Sequence, residues 1–253
     1  MMPVKASVLE AMITKATFGE DMTEVVIHHE SRGLVIRTMD VASSRVCNVH
    51  KDIEFPDGEW GISSAERASK VLKTYKDREV KVKGDNASLQ IVTVDKPKKQ
   101  SKIPVEADVG RMLNRCSIEF LMVPNAIQFY HHDKGEVVST VPITCKFKFK
   151  ATDFKKQLKS EVFKDSTDII IKFAGNCMYL LAEDSGFKEG AQIDGECMQS
   201  PTSATTGKYR GLKDLADVLE GDIIIAMGQN TPVMFYEEVD GIVASYGVMP
   251  YLE

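Results

Sequence analysis

Gly33-Leu34-Val35-Ile36-Arg37-Thr38-Met39-Asp40 reads as a strand that ends on an acid. Leu34, Ile36 and Thr38 fall on one face, Val35, Arg37 and Met39 on the other, and Gly33 turns the chain into it. At an offset of about 144 residues the pattern returns: Val26-Ile27-His28-His29-Glu30-Ser31-Arg32-Gly33-Leu34-Val35-Ile36 is answered by Ile170-Ile171-Lys172-Phe173-Ala174-Gly175-Asn176-Cys177-Met178-Tyr179-Leu180, and Met39-Asp40 by Glu183-Asp184. Each copy reads strand, tight turn, strand, acid. A hairpin from Val80 to Ile91 is answered from Ile223 to Met234 at an offset of about 143. A lysine-bearing amphipathic segment precedes each copy, Val8 to Ala16 and Phe154 to Val162. A repeat of this length implies two domains of one kind and not a small-unit solenoid.

The 253 residues suit one large domain or two of ordinary size, and the repeat selects two. With 43% hydrophobic and 27% charged residues the chain has the composition of a soluble globular protein. No apolar run approaches the roughly 20 residues of a membrane span. Met1-Met2-Pro3-Val4-Lys5 lacks the apolar segment of a secretory signal, so an intracellular protein is expected. Cys47, Cys116, Cys145, Cys177 and Cys197 form an odd set without a CxxC pair and read as reduced, mostly buried thiols.

A net charge of -5 argues against nucleic-acid binding only if it is spread evenly. Val8, Met12 and Ala16 recur at helical spacing, with Ser7 as N-cap, Gly19 ending the segment, and Lys5 and Lys15 off the stripe. Ser63 and Glu66 read as a capping box opening a helix with Ala65, Ala68, Val71, Leu72 and Tyr75 inward and Arg67, Lys70, Lys73 and Lys76 elsewhere. Thr152 or Asp153 caps a third helix, whose Phe154, Leu158 and Val162 oppose Lys155, Lys156 and Lys159. A fourth, Lys208 to Leu219, turns Leu212, Leu215, Val218 and Leu219 inward and Lys208, Arg210 and Lys213 outward. Acids gather in connectors and strand ends such as Glu20-Asp21, Asp57 to Glu59, Asp184 and Glu237-Glu238.

Lys96-Pro97-Lys98-Lys99-Gln100-Ser101-Lys102 reads as a basic loop, and Val109 to Leu113 as a short helix or turn. Ser117 to Val123 and Ala126 to Tyr130 read as strands and Ser200 to Gly207 as a loop. The expected organisation is a first domain over 1–130, a connector over 131–142 and a second domain over 143–253.

The order helix, strand, strand ending in Met-Asp, basic helix, hairpin, all doubled, resembles the sliding clamps of the proliferating cell nuclear antigen (PCNA) type of archaea and eukaryotes. Gly33 to Asp40, Phe149 to Leu158, and Asn230 through Gly247-Val248-Met249-Pro250-Tyr251-Leu252-Glu253 carry the likeness, which covers nearly the whole chain through degenerate motifs. The usual opening strand is missing, the segment 96–142 is long, Ser200 to Gly207 replaces strands, and Met249-Pro250-Tyr251 stands where Ala-Pro-basic is common. With these departures the chain resembles a divergent relative of the family, for which a viral or plasmid source is an expectation.

The resemblance implies an α+β DNA clamp fold: two similar domains, each with sheets outside and two helices on the inner face, and three chains closing a ring. The DNA-facing residues it implies are Lys5, Lys15, Arg67, Lys70, Lys73, Lys76, Lys155, Lys156, Lys159, Lys208, Arg210 and Lys213. The implied pocket for short docking peptides of polymerase, ligase and nucleases comprises Met39, Asp40, Val41, Ala42, Val137, Val138, Val141, Pro232, Val248, Met249 and Pro250. Ring edges would come from Ser117 to Val123 and Ala191 to Met198. A clamp loader is a further implied partner. No cofactor, metal or catalytic residue is expected, and no membrane.

Other readings are a checkpoint-type clamp, one subunit of a heterotrimeric ring, or a monomeric clamp-fold adaptor. A metal-dependent enzyme fares worse. His28-His29, His131-His132 and Cys47-Asn48-Val49-His50 offer at most half a zinc site, and there is no Walker loop, GxSxG or dinucleotide fingerprint.

Overall fold

The computed structural model describes residues 3–18, 22–107, 109–132, 134–184 and 187–251, without the side chains of 113–115 and 183–189. Gly19, Glu20-Asp21, Leu252-Glu253 and the side chains of Glu183 and Asp184, used above, lie outside the described residues. The chain divides into two compact units: Met1–Asp40, Cys47–Ser117 and Asp240–Ala244 form one, and Val41–Val46, Ile118–Val239 and Ser245–Glu253 the other.

In the first unit a two-residue strand β1 (Val4–Lys5) leads into helix α1 (Ala6–Ala16), so an opening strand is present after all, paired Val4 to Val80. The α1 residues Ala6, Leu9, Met12, Ile13 and Ala16 are buried, a stripe set one step round from the expected one. Ser7 lies inside the helix and Lys5 is its N-cap, without a side-chain cap bond. Strands β2 (Val25–Glu30) and β3 (Gly33–Met39) form an antiparallel hairpin through Ser31-Arg32. All of β3 is buried, Arg37 included, and Arg37 is ion-paired with Glu30, as is Arg32. Strands β4 (Arg45–Lys51) and β5 (Glu59–Ile62) complete the order β5-β2-β3-β4.

Helix α2 (Ala65–Lys73) buries Ala65, Ala68, Ser69 and Leu72. Its capping box does not form. Ser64 is the N-cap without a side-chain bond, the first helical N–H goes to the Thr23 carbonyl at 2.8 Å, and Glu66 pairs with Lys70. Strands β6 (Glu79–Gly84), β7 (Ser88–Thr93) and β8 (Gln100–Pro104) follow, in the order β1-β6-β7-β8. The β6–β7 turn is held by Asp85, whose Oδ1 accepts from Ala87 N at 2.9 Å and Ser88 N at 2.7 Å. Leu9, Ile13, Ile36, Leu72, Val82 and Ile91 share the core between helices and sheets. A short helix α3 (Val109–Arg115) packs Met112 with Cys116 against Val26.

The second unit opens with a small sheet of β9 (Ile118–Val123), β10 (Ala126–His131) and β11 (Glu136–Pro142), ordered β11-β10-β9. The stretch 131–142, expected as a connector, therefore holds a strand hydrogen-bonded to β10. Then come β12 (Cys145–Lys150), α4 (Ala151–Leu158), a 3-10 turn (Glu161–Phe163), β13 (Asp168–Ala174), β14 (Cys177–Asp184), β15 (Phe187–Ile193), β16 (Gly195–Gln199) and β17 (Thr205–Arg210). Helix α5 (Leu212–Val218), β18 (Asp222–Met227), β19 (Val233–Val239) and β20 (Ile242–Val248) close the chain. The sheet orders are β17-β13-β14-β15 and β16-β12-β18-β19-β20.

The internal repeat is thereby a repeat of topology. β1-β6-β7-β8 matches β12-β18-β19-β20, β5-β2-β3-β4 matches β17-β13-β14-β15, and the helix pair α1 and α2 matches α4 and α5. β16 is an addition outside β12, and among the described residues the β9 to β11 sheet has no counterpart in the repeat.

Three expectations are corrected here. Lys208 and Arg210 are not on a helix: Thr205, Gly207 and Tyr209 are buried in alternation along β17, and Gly211, at φ +75°, separates that strand from α5. Val162 is exposed in the 3-10 turn and not on an apolar stripe, because α4 ends at Leu158. Thr152 and Asp153 lie within α4, whose N-cap is Lys150. Of the thiols, Cys47, Cys116 and Cys145 are buried, Cys177 and Cys197 half-buried, and all five lie outside any disulfide.

At Gly33, φ is +96° and an added Cβ would fall 2.3 Å from the Lys51 carbonyl oxygen. Gly33→Ala is expected to cost about 2 kcal/mol or more, combining strain with a backbone clash. Urea unfolding of the full chain measures it, and a change within about 0.5 kcal/mol would contradict this account of the turn.

Candidate nucleic-acid interface

In each unit two helices pack side by side, so each keeps one apolar stripe for the core and one polar stripe for water. On the polar stripe of the first pair, Arg67, Lys70 and Lys73 are exposed, as are Lys76, beyond the C-terminal end of α2, and Lys5, at the start of α1. Lys15 is not: at 4% exposure its side chain is buried at the end of α1, which removes it from any phosphate contact in this conformation. Its spacing off the apolar stripe is real, but the stripe is wider than Val8, Met12 and Ala16 suggested.

Acids accompany these cations. Glu10 of α1 sits between the helices, accepting from Thr14 at 2.8 Å and Ser69 at 2.9 Å and pairing with Lys73 at 3.6 Å. Glu66 is held below its ordinary carboxylate value by the hydrogen bond and charge of Lys70. Arg67, Lys76 and Lys5 make no side-chain ion pair among the described residues.

The second pair brings Lys155, Lys156, Lys159 and Lys213 together. Asp217 of α5 is bound by two of them, 3.4 Å from Lys155 Nζ and 2.7 Å from Lys159 Nζ, and Lys155 also donates to the Asp217 carbonyl at 3.1 Å. Partial burial alone would raise the Asp217 carboxyl. Hydrogen bonds and charge from Lys159 and Lys155 outweigh that and hold it below the ordinary range. Lys213 donates to the Lys164 carbonyl at 2.9 Å, and Lys156 is exposed without an ion pair among the described residues.

Lys208 and Arg210 form a different group. Arg210 Nε meets Asp168 Oδ1 at 2.6 Å, which raises the guanidinium pKa, and Lys208 Nζ lies 3.7 Å from Asp168. Arg210 also stacks 3.7 Å from the Tyr251 ring centroid, and Tyr251 N donates to the Lys208 carbonyl at 2.7 Å. Tyr251, which stands where a base was expected, packs here against bases. The acids Glu10 and Asp217 were not singled out from sequence, and their only signal there is a carboxylate on the polar stripe of a lysine-bearing helix.

The residues considered for a docking pocket fall into three kinds. Met39 and Val248 are core, at 7% and 1% exposure, so they are not available as walls in this conformation. Val41 at 87%, Val137 at 43% and Val138 at 44% are exposed apolar side chains, as Ala42 is exposed. Asp40, Val141, Pro232, Met249 and Pro250 are half-buried. Met249 N donates to the Ser44 carbonyl at 2.7 Å, which sets the segment 41–46 beside the end of β20. Among the described residues no three His, Cys, Asp or Glu side chains come close enough to hold a metal ion, and no helix is long and apolar enough to cross a membrane.

No protein-family model matches the chain, and no curated protein matches its sequence. Solved structures do. A PCNA2–PCNA3 complex of Sulfolobus tokodaii is similar with a TM-score of 0.72 at 16% identity, over 100% of both chains. PCNA of Thermococcus kodakaraensis gives 0.72 at 18% identity over 98% of each chain. PCNA of A. fulgidus with the C-terminal region of FEN-1 bound gives 0.70 at 16% identity, over 99% of this chain and 98% of that one. The chain therefore has the PCNA-type clamp fold, mostly sheet with few helices.

Asp217 yields a pH test. A carboxyl held below its ordinary value of 3.8 stabilises the fold above that value, and the contribution is lost as pH falls through the lower folded value. For a half-exposed pair it is small, about 0.2–1 kcal/mol. Asp217→Asn is expected to be less stable than the parent by that amount at pH 7. Unfolding curves of the two proteins should converge in acid, and a gap independent of pH would refute the assignment.

Proposed function

We propose that this chain is a DNA sliding clamp, a processivity factor that closes into a ring of three copies around duplex DNA and docks replication and repair enzymes. The observation that carries the reading is the doubled unit, each copy presenting a lysine-bearing helix pair, in a fold matched along its whole length by PCNA structures. Duplex DNA carries one negative charge per about 1.7 Å of axis, so lysines on such helices hold it without reading sequence. Long hydrated ammonium groups exchange phosphate partners readily, which lets the ring slide.

The phosphate-facing set on this reading is Lys5, Arg67, Lys70, Lys73, Lys76, Lys155, Lys156, Lys159 and Lys213. Lys15 is withdrawn by its burial. Lys208 and Arg210, on β17 and engaged with Asp168 and Tyr251, are assigned to holding the end of the chain. Docking peptides from polymerase, ligase, nuclease and clamp loader would rest on Val41, Ala42, Val137, Val138, Val141, Pro232, Met249 and Pro250. The chain itself is assigned no catalysis, and its site of action is intracellular.

Ring closure needs free strand edges. β15 ends its sheet in the second unit, and β8 ends its sheet in the first. One of the edges read from sequence, Ala191 to Met198, overlaps β15 and continues into β16. The other, Ser117 to Val123, falls on β9, which ends its own sheet and packs Phe120 on Gly247 within the second unit.

A second reading, one subunit of a heterotrimeric ring, is favoured by the similarity to a PCNA2–PCNA3 complex. Light scattering after size-exclusion chromatography separates the two: the mass of three chains is expected, and a monomer at micromolar concentration would overturn the homotrimer. Replacing Lys155, Lys156 and Lys159 by Glu should leave that mass unchanged and abolish retention on circular DNA. Undiminished retention would refute the helix assignment.

A further inference from the structure

The basic segment Lys96-Pro97-Lys98-Lys99 is not used by the function proposed above, and the second repeat lacks it. Between β7 and β8 the chain passes through Val94 to Lys99, whereas between the matching strands β19 and β20 it turns on Asp240-Gly241 alone, close after Glu237-Glu238. One repeat thus carries a lysine-rich loop where the other carries a tight acidic turn.

The loop is fastened to the C-terminal end of α2. Lys99 Nζ donates to the Thr74 carbonyl at 2.9 Å and to Thr74 Oγ1 at 2.5 Å, and lies 4.4 Å from the Tyr75 ring centroid. A cation on the last carbonyls of a helix is favoured by the helix dipole. Arg78 adds a second tie, pairing with Asp95 at 3.2 Å and donating to the Lys96 carbonyl at 3.5 Å. Lys99 and Arg78 are therefore occupied in holding the loop. Lys96 and Lys98 are exposed and, among the described residues, make no side-chain hydrogen bond or ion pair, as is also true of Lys76. Asp95 is engaged by Arg78, leaving Asp77 and Glu79 as the nearby acids, which share an open cleft with Lys76 and Arg78. Exposed ammonium groups with no buried donor among them do not enclose a small anion. They suit a polyanion whose charges repeat along its length.

We infer that Lys96 and Lys98, continuing from Lys73 and Lys76, form a second track of phosphate contacts for duplex DNA, carried by the first repeat only. The inference rests on the clamp reading and names a part of its DNA surface that the helices do not supply.

The test is binding of the full-length protein to a short linear duplex of random sequence, followed by fluorescence anisotropy across a salt series. Each lost phosphate contact lowers the log–log salt slope by about 0.9, so Lys96→Gln with Lys98→Gln should lower it by about 1.8. Affinity at low salt should fall on the order of tenfold, with the thermal midpoint unchanged because neither side chain makes a hydrogen bond or ion pair among the described residues. Lys155→Gln with Lys156→Gln and Lys159→Gln serves as the reference set. If the reference set lowers the slope and the loop pair does not, the inference is overturned while the clamp reading stands. If the parent protein does not bind duplex at low salt, both fail. If the loop pair weakens binding to polyglutamate but leaves duplex binding intact, the loop serves an acidic protein partner and the inference is overturned.

Discussion

Two helices laid side by side on a sheet have only one stripe each to give to water, and in both halves of this chain that stripe is where lysine and arginine collect. The constraint is steric before it is electrostatic. Leu9, Met12 and Ile13 with Leu72 in the first unit, and Phe154, Leu158 and Leu215 in the second, must be buried for the sheets to be covered at all. Once they are, Lys70, Lys73, Lys155, Lys156 and Lys159 have no other direction to take. A protein of net charge -5 can in this way present local groups of cations.

The doubled architecture was legible because a hairpin leaves two marks that survive divergence, a tight turn and strand spacing. Ser31-Arg32 and Gly175-Asn176 do stand at equivalent turns, and β6 and β18 at equivalent strands. β17 is not legible although Thr205, Gly207 and Tyr209 alternate with Thr206, Lys208 and Arg210, because a glycine and a threonine carry little apolar signal on the buried face. Its Tyr209 is buried with its hydroxyl on the Thr231 carbonyl at 2.8 Å, a contact between distant segments that no local pattern announces. β11 escapes local pattern for the opposite reason. Val137, Val138, Thr140 and Val141 have the β-branched composition of a strand, but nearly the whole strand is exposed, so no alternation marks it.

Of the candidate site, the cations on helix surfaces were legible and their partners were not. Lysine at an off-stripe position is a local property. That Lys15 is buried, or that Lys155 and Lys159 converge on one carboxylate from another helix, depends on how helices pack. The acids Glu10 and Asp217 occupy comparable roles in the two units, each set between the helices of its pair with a lysine from the neighbouring helix.

That pairing bears on friction. A lysine that already rests 2.7 Å from a carboxylate does not gain the full attraction of a passing phosphate, since it must give up one anion to take another. The difference between those two states is small beside either interaction alone. On the proposed clamp reading, a duplex moving past Asp217 would meet a shallow landscape, with each ammonium group handed between a fixed carboxylate and a travelling phosphate. The built-in counter-ion would then act as a lubricant, trading grip for mobility.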